Sequence, residues 1–286
     1  MEHYDILIIG AGAAGIAAAK AAHSAGCRSI ALVDRKPAPG GVLLQCAHRG
    51  FGEGLTGREY ATALLRDFPA EIALIPGTTV LSVEETKVAH LSGGRRISFS
   101  RLILATGCRE IPMGALPIAG TRPRGIYTAG QMQEMMNLYG FVPEGPVVIL
   151  GSGDIGLIMA NQIASLGTAV TLVEKKNTCG GLARNRRLLE EYPIRLVCGQ
   201  TIREVKGKET LEGCCLSGGE YIPCNTLLIA VGLRPERELV FGLGQPGWLF
   251  SCGNCRTVHP MVEAVVNEGK QAGIAAWKRI KEEQND

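Results

Sequence analysis

The chain has 286 residues, of which 46% are apolar and 20% charged, and its formal net charge is +3. This length suits two domains, and so small a charge excludes the strongly basic footprint of a nucleic-acid-binding protein. We expect neither a secretion signal nor a membrane span, because acidic residues stand near the N-terminus and glycines interrupt the apolar stretch that follows. Ten cysteines in a chain of this length are more typical of reduced thiols than of a disulfide framework, which belongs to small secreted domains. Reduced thiols predict a cytoplasmic location.

The first recognisable unit is residues 6–41, ILIIGAGAAGIAAAKAAHSAGCRSIALVDRKPAPGG. It predicts a strand, a glycine turn, a helix of small residues and a second strand that ends at an acid, which is the βαβ pattern of dinucleotide-binding folds. There the first glycine permits the tight turn, the second admits a pyrophosphate, and the third lets helix and strand pack closely. The helix N-terminus attracts the phosphates, and the acid accepts hydrogen bonds from the ribose.

The same pattern recurs at residues 147–181, VVILGSGDIGLIMANQIASLGTAVTLVEKKNTCGG. Glycines 151, 153, 156 and 167 follow glycines 10, 12, 15 and 26 by a constant 141 residues. After a one-residue deletion, Glu174 matches Asp34, and the double glycine at 180–181 matches that at 40–41. One GxGxxG alone is weak evidence, since any glycine-rich turn produces it, but two complete copies predict two dinucleotide sites.

Three later segments complete the predicted units. RLILATG at 101–107 and TLLIAVG at 226–232 each predict a last parallel strand that ends where a nucleotide binds. GWLFSCGN at 247–254 predicts a further short strand, followed by a helix from about Pro260 to Lys281. Pro260 suits the first helical position, and the positive end of this helix would point back toward the first site.

In this order the segments resemble the two-dinucleotide-binding-domain flavoproteins, the group of thioredoxin reductase and glutathione reductase. The resemblance implies an α/β fold with two Rossmann-like domains, in which an NAD(P)-binding domain at 111–237 is inserted into an FAD-binding domain split between 1–110 and 238–286. It also implies hydride or electron exchange between NAD(H) and FAD, for which no acid or base side chain is required. Asn254 stands where those proteins usually place the Asp that binds the ribityl chain of FAD.

A closer similarity is to the FAD- and NAD-binding subunit of multi-component dehydrogenases for amino acids, opines or glycerol 3-phosphate. It rests on GGVLLQCAHRGFGEGLTGREYA at 40–61, GSGDIGLIMA at 151–160 and CGNCRTVHPMVEAVVNEGKQAG at 252–273. It implies a hetero-oligomer with a companion flavoprotein subunit that oxidises the substrate, and a small cysteine-bearing or iron–sulfur protein as a further electron carrier. Two nucleotide folds use nearly all of the 286 residues, which leaves the segment from Val42 to Tyr60 as either a partner contact or a flexible surface loop.

The motifs and the resemblance together give the predicted cofactor contacts. For FAD they are Gly10, Gly12, Ala13, Ala14, Gly15, Asp34, Arg35, Gly41, Val42, Ala105, Thr106, Gly107, Gly253, Asn254 and His259. For NAD they are Gly151, Gly153, Asp154, Ile155, Gly156, Glu174, Lys175, Val231 and Gly232. His259 is alternatively a cap of the last helix. NADP is the less favoured nucleotide because Glu174 would repel a 2′-phosphate, although Lys175 and Lys176 oppose this effect.

The cysteines do not fit the patterns of disulfide reductases. The glutathione-reductase pattern GGxCxxxxC requires cysteines at positions 43 and 48, which are Leu43 and His48 here. The thioredoxin-reductase pattern requires a CxxC just before the second glycine motif, but residues 126–150 contain no cysteine. Cys46 remains the candidate catalytic residue, as a single redox thiol tuned by His48, with a buried cysteine beside the flavin as the alternative. The pair formed by Cys252 and Cys255 lacks a second CxxC, so no metal is predicted.

Two other functions stay open from the sequence. A stand-alone NADH oxidase or a thiol-linked flavoprotein reductase would require Cys46 to react. A non-catalytic scaffold would keep FAD only for structure, and its flavin would not be bleached by NADH.

Overall fold

The computed structural model describes residues 1–285. The chain divides into two compact units, one formed by Met1–Arg109 with Arg234–Asp286 and the other by Glu110–Leu233. The first unit is therefore made from both ends of the sequence, and the second is one continuous segment. The predicted α/β fold with two Rossmann-like units is confirmed.

Short strands outnumber helices in both units. The strands are β1 (Glu2–Ile9), β2 (Ile30–Val33), β3 (Arg49–Phe51), β4 (Leu55–Thr56), β5 (Ala73–Ile75), β6 (Val80–Val83), β7 (Val88–Leu91), β8 (Arg96–Leu104), β9 (Cys108–Glu110), β10 (Ala119–Gly120), β11 (Ile126–Thr128), β12 (Val147–Leu150), β13 (Val170–Glu174), β14 (Ile194–Cys198), β15 (Ile202–Lys206), β16 (Gly213–Leu216), β17 (Tyr221–Pro223), β18 (Thr226–Ile229), β19 (Leu233–Pro235) and β20 (Leu249–Ser251). The helices are α1 (Ala13–Ser24), α2 (Gly57–Leu65), α3 (Ala129–Tyr139), α4 (Asp154–Ala164), α5 (Ala183–Arg186) and α6 (Val262–Asn285). Within residues 1–285, none of these helices has the length and apolar character that a membrane crossing requires.

The first unit is built on a seven-stranded sheet. Strands β5, β2, β1 and β8 lie side by side and parallel. The apolar side chains of β2, of Ile6–Ile9 in β1 and of Leu102–Leu104 in β8 are buried, whereas Leu74 of the edge strand β5 is exposed. Strands β7 and β6 extend the sheet in antiparallel fashion from the first half of β8, and β20 pairs in parallel with its second half. The carboxyl ends of β1, β2, β8 and β20 consequently meet at one edge.

The second unit repeats this order of strands. Its five-stranded sheet is parallel throughout, in the order β11, β18, β12, β13, β14. The run β14, β13, β12, β18 matches β5, β2, β1, β8 of the first unit. A second sheet of β10, β15, β16 and β17 is mainly antiparallel. The internal repeat of the sequence is thus also a repeat of topology.

Helices α1 and α6 pack closely in the first unit because small residues face each other. Ala14 and Ala18 of α1 are buried. A Cβ atom added to Gly269 of α6 would collide with the carbonyl oxygen of Ala14, and one added to Gly273 would collide with that of Ala18. The backbone of the C-terminal helix therefore lies directly against the backbone of the first helix.

Helix α6 begins at Val262 and not at Pro260, so the expected position of the proline inside the helix is wrong. The backbone N–H of His259 donates to Oδ1 of Asn254 at 3.0 Å. This hydrogen bond holds the chain in a turn as far as His259, and the helix starts only after that turn is complete.

The segment between Val42 and Tyr60 has regular structure. It contains a 3₁₀ turn at Gly41–Gln45, the hairpin of β3 and β4, and the start of α2. The first turn of α2 is closed by a capping box, in which Thr56 Oγ1 accepts from Glu59 N at 3.2 Å and Glu59 Oε2 accepts from Thr56 N at 2.7 Å. These features do not support its interpretation as a flexible loop.

The contact between α1 and α6 predicts that replacing a glycine of α6 by alanine destabilises the protein. Alanine in a helix ordinarily stabilises relative to glycine, but Gly269→Ala should lower the free energy of unfolding by about 1–3 kcal/mol because the helices must separate. Urea denaturation followed by circular dichroism measures this change. Gly247→Ala, at an exposed site where a Cβ meets nothing within 4 Å, is the control and should stay within about 0.5 kcal/mol of the unsubstituted chain. A stabilised Gly269→Ala would contradict the packing.

Candidate nucleotide-binding sites

The turn between β1 and α1 contains three glycines with different surroundings. Gly10 has φ +108°, and a Cβ there would collide with the backbone of Ala105. A Cβ at Gly15 would collide with the carbonyl oxygen of Gly10. A Cβ at Gly12, in contrast, meets nothing within 4 Å. The fold therefore requires the first and third glycines, whereas the second faces open space outside the protein.

The turn between β12 and α4 in the second unit has the same three surroundings. Gly151 has φ +105°, and a Cβ there would collide with the backbone of Ala230. A Cβ at Gly156 would collide with the carbonyl oxygen of Gly151. A Cβ at Gly153 meets nothing within 4 Å. Each unit thus keeps an open surface at its middle glycine, in front of a helix N-terminus.

Asp34 joins the glycine turn of the first unit to the end of β2. Its Oδ2 accepts from the backbone N–H of Ala11 at 2.6 Å, and its Oδ1 accepts from that of Lys36 at 2.7 Å. The carboxylate oxygens can accept further hydrogen bonds, because each has more than one lone pair. The acid is therefore part of the turn and remains able to bind a ribose.

Glu174 has the equivalent position in the second unit. Its Oε2 accepts from N and Oγ of Ser152 at 2.9 and 2.6 Å, and its Oε1 accepts from N of Lys176 at 2.9 Å. Burial raises the pKa of Glu174, but these hydrogen bonds outweigh burial and place the pKa below its ordinary value. Glu174 is consequently ionised at neutral pH.

The double glycine after each second strand folds back over the glycine turn. Gly40 N donates to the carbonyl of Ala11 at 2.7 Å, and Gly180 N donates to Oγ of Ser152 at 2.7 Å. A Cβ at Gly41 would lie only 3.0 Å from the Cα of Gly12. The backbone of each double glycine therefore forms one wall of the space beside the turn.

Three further predicted contacts next to these turns have defined surroundings. Asp154, at the start of α4, accepts through Oδ1 from Leu182 N and Asn185 Nδ2, both at 2.7 Å. Ile155 packs against the apolar core of the second unit. The Val42 side chain is exposed, and its carbonyl oxygen accepts from the Cys46 sulfur.

A cavity of about 170 Å³ lies in the first unit beside Asp34. It is lined by Ile9, Gly10, Val33, Asp34, Arg35, Thr78, Thr79, Val80, Thr106, Glu236 and Leu239. Thr78, Thr79 and Glu236 are not among the contacts predicted from the motifs. The position of the cavity next to the acid and the glycine turn makes it suitable for the adenosine part of a dinucleotide.

A signal for the two missed threonines exists in the internal repeat. IPGTT at 75–79 and VCGQT at 197–201 occupy the same place in the two units. Gly77 N and Thr78 N donate to the carbonyls of Lys36 and Asp34, and Gly199 N and Gln200 N donate to those of Lys176 and Glu174, with N···O distances between 2.8 and 3.1 Å. The repeat therefore extends to the strand after the acid.

The residues after the last parallel strands also lie at the nucleotide edges. Thr106 Oγ1 donates to the carbonyl of Glu236 at 2.6 Å, and Gly107 has φ +77°. Gly232 in the second unit has φ +131°, and Val231 precedes it after the end of β18. These positions bring Ala105, Thr106 and Gly107 to the edge of the first sheet, and Val231 and Gly232 to the edge of the second.

Asn254 and His259 belong to one turn that follows β20. Asn254 Oδ1 accepts from His259 N, and Asn254 Nδ2 donates weakly to the Cys108 sulfur at 3.8 Å. His259 Nε2 lies 3.1 Å from Oε1 of Glu268, whose Oε2 accepts from Gly253 N at 2.8 Å. The histidine ring therefore contacts Glu268 in the second turn of α6.

Cys46 is buried at the end of the 3₁₀ turn. Its sulfur donates to the carbonyl of Val42 at 3.3 Å. Burial raises the pKa of the Cys46 thiol to about 12. The group is therefore protonated at neutral pH, which is unfavourable for a redox nucleophile.

The Cys252 and Cys255 thiols also point into the protein. Both side chains are buried, and their sulfur atoms lie 3.9 and 3.1 Å from the carbonyl oxygen of Leu104. Burial raises the pKa of each thiol. Among residues 1–285, no group of three or more His, Cys, Asp or Glu side chains has the arrangement of a metal site.

Comparisons with known proteins identify the family of the chain. The family model described as pyridine nucleotide-disulphide oxidoreductase matches residues 4–260. An opine oxidase subunit of Rhizobium meliloti is 29% identical over 283 residues, which cover 85% of this chain and 52% of the relative. The alpha subunit of sarcosine oxidase from Rhizobium meliloti (strain 1021) is 30% identical over 275 residues, which cover 86% of this chain and 26% of the relative. The chain thus spans about half of one relative and about a quarter of the other.

A similar structure is the thioredoxin reductase of T. acidophilum, with a TM-score of 0.80 at 19% identity, over 98% of this chain and 100% of that chain. At this identity the likeness supports the fold alone. The family match, which covers most of the chain, supports redox chemistry with FAD and a pyridine nucleotide. The chain therefore belongs to the pyridine nucleotide-disulphide oxidoreductase family and is an FAD- and NAD(P)-dependent oxidoreductase.

Proposed function

We propose that the first unit binds FAD, that the second binds NAD(H), and that the chain passes electrons between them as one subunit of a multi-component amino-acid, hydroxy-acid or glycerol-3-phosphate dehydrogenase. The observation that carries the proposal is the open space at Gly12 and Gly153. Each lies in a turn whose other two glycines are required by backbone contacts. The protein itself leaves room for a side chain at these two positions. We infer that they are glycines because a side chain there would exclude a bound pyrophosphate.

The first unit offers a set of groups suited to FAD. The α1 N-terminus faces the pyrophosphate position, Asp34 and the cavity beside it suit the adenosine, and Asn254 suits the ribityl chain. When bound, the flavin and the nicotinamide supply hydride chemistry themselves. The protein is then required to hold the two groups and exclude competing reactions, and no side chain must act as an acid or a base.

The second unit favours NAD(H) over NADP(H). Glu174 is ionised and buried at the position where a 2′-phosphate would lie. Lys175 and Lys176 are exposed and can swing away from the ribose. We therefore expect the fixed Glu174 carboxylate to affect the preference between NAD(H) and NADP(H) more than the two lysines do.

The subunit role is supported by the relatives. Two of them are named as subunits of opine oxidase and sarcosine oxidase. In such an assembly a companion flavoprotein would oxidise the substrate, and a small cysteine-bearing or iron–sulfur protein is a candidate electron carrier. We infer that the complex acts in the cytoplasm, where NAD(H) is available.

The alternative that depends on a reactive Cys46 is less well supported. The thiol is buried, donates to a backbone carbonyl and has a raised pKa. A thiol that remains protonated is a poor nucleophile toward a flavin or a disulfide. Hydride exchange without a cysteine is therefore the mechanism that we propose.

The middle glycines give a matched pair of variants. Gly12→Val should remove FAD from the purified protein while the apoprotein still folds, since no protein atom lies within 4 Å of a Cβ there. Gly153→Val should retain FAD but raise the dissociation constant for NADH by at least about tenfold. Flavin absorbance and titration with NADH measure the two effects.

Gly10→Val is the control for this pair. Its side chain would collide with the backbone of Ala105, so this variant should be destabilised even without FAD. If Gly12→Val retained a full complement of FAD, the position of the pyrophosphate would have to be abandoned.

Nucleotide preference is measured by stopped-flow reduction of the flavin. NADH should give a specificity constant at least about tenfold above that of NADPH, because a 2′-phosphate would approach the Glu174 carboxylate. The preference should persist from pH 8 to pH 6, since the pKa of Glu174 is lowered and the group stays ionised. Faster reduction by NADPH at lower concentration would show that Lys175 and Lys176 dominate.

The isolated chain should transfer electrons between NADH and artificial acceptors such as ferricyanide, but should not reduce NAD with an amino acid or hydroxy acid. Cys46→Ser should keep at least about half of the NADH:acceptor rate, because serine preserves a donor to the Val42 carbonyl. Co-purification from the native host followed by mass measurement should identify a companion flavoprotein. Substrate-dependent NAD reduction by this chain alone would refute the subunit role.

A further inference from the structure

Glu268 of α6 contacts the turn that follows β20 at several points. Its Oε2 accepts from the backbone N–H of Gly253 at 2.8 Å. Its Oε1 lies 3.1 Å from Nε2 of His259 and 3.4 Å from NH1 of Arg256. One carboxylate thus contacts the beginning, the middle and the end of the segment from Gly253 to His259.

The same segment has little freedom to adopt another position. Gly253 has φ +68°, and a Cβ there would lie 2.9 Å from the Cβ of Ala14. Asn254 accepts from His259 N across the turn. The turn is therefore closed internally by Asn254 and anchored externally by Glu268.

Glu268 is mostly buried, with a side chain that is 19% exposed. A buried carboxylate is costly unless it has charged or hydrogen-bonding partners, and here its partners lie on this one turn. A neutral side chain of the same shape would anchor Gly253 without carrying charge. The carboxylate also places a negative charge directly against the turn that carries Gly253 and Asn254.

We propose that Glu268 is a positioning residue that holds the turn of Gly253–His259 against FAD and lowers the reduction potential of the flavin by its negative charge. The proposal rests on the assignment of FAD to the first unit. It adds a role for a residue that is not among the predicted cofactor contacts.

The direction of the electrostatic effect follows from charge. Reduced flavin carries more negative charge than oxidised flavin, so a nearby carboxylate disfavours reduction. Removal of that charge also leaves the positive charge of Arg256 uncompensated, which acts in the same direction. The titratable and charged groups that face Glu268 are Arg256, His259 and the buried Cys252 thiol, whose raised pKa keeps it neutral.

The first experiment separates charge from shape. Glu268→Gln retains an oxygen that can accept from Gly253 N but has no charge. Spectroscopic equilibration with a reference dye should show the ratio of reduced to oxidised flavin increased about tenfold at a fixed potential, equivalent to about 30 mV for a two-electron couple. Glu282→Gln, the same change near the far end of α6, is the control and should leave the ratio unchanged.

The second experiment tests the anchoring without FAD. Trypsin can cleave after Arg256, and the turn resists cleavage while Glu268 holds it. In the FAD-free protein, Glu268→Ala should increase the rate of this cleavage at least about fivefold, relative to cleavage after the exposed Lys208, as the turn opens locally. Mass spectrometry of the fragments gives both rates, and Glu282→Gln again should behave as the unsubstituted chain.

Glu268→Asp keeps the charge but shortens the side chain. It should increase cleavage after Arg256 while the flavin ratio stays within about twofold of the unsubstituted value. An unchanged flavin ratio in Glu268→Gln, or unchanged cleavage in Glu268→Ala, would overturn the proposal. An unsubstituted chain that binds no FAD would instead refute the assignment of the first unit, and the cleavage rates would still decide whether Glu268 anchors the turn.

Discussion

The arrangement of each unit depends on the close backbone contact between a glycine turn and the end of a neighbouring strand. Gly10 lies against Ala105 in the first unit, and Gly151 lies against Ala230 in the second. These contacts leave no room for a Cβ, and they hold the start of α1 in the first unit and of α4 in the second unit close to the sheet. The N-terminus of each of these helices then faces the sheet edge at which the acid, the double glycine and the last parallel strand also end.

Much of this arrangement could be predicted from sequence because the repeat supplies an internal comparison. Two copies with the same glycine spacing, each followed by an acidic residue at the equivalent position, indicate two Rossmann-like units without comparison to another protein. The comparison also shows the limit of the motif: the roles of Gly10 and Gly12 differ only when the surrounding atoms are known. A collision or an open space at a Cβ is a property of tertiary structure.

Other features depend on contacts between distant parts of the sequence. Thr78 and Glu236 line the cavity beside Asp34 although about 160 residues separate them, and neither belongs to a motif. The start of α6 was displaced because the His259 hydrogen bond to Asn254 extends the preceding turn. The Cys46 sequence context alone could not distinguish a reactive thiol from a buried one, since the difference lies in solvation and not in residue type.

The contact of α1 with α6 has a consequence for how the protein forms on the ribosome. Ala14 and Ala18 emerge early, but their partners Gly269 and Gly273 are made about 250 residues later. The second unit is continuous, and all of its strands are synthesised before α6. It can therefore reach a compact state first, while the alanine face of α1 stays exposed to solvent and to chaperones. Completion of the first unit is thus delayed until α6 has been translated.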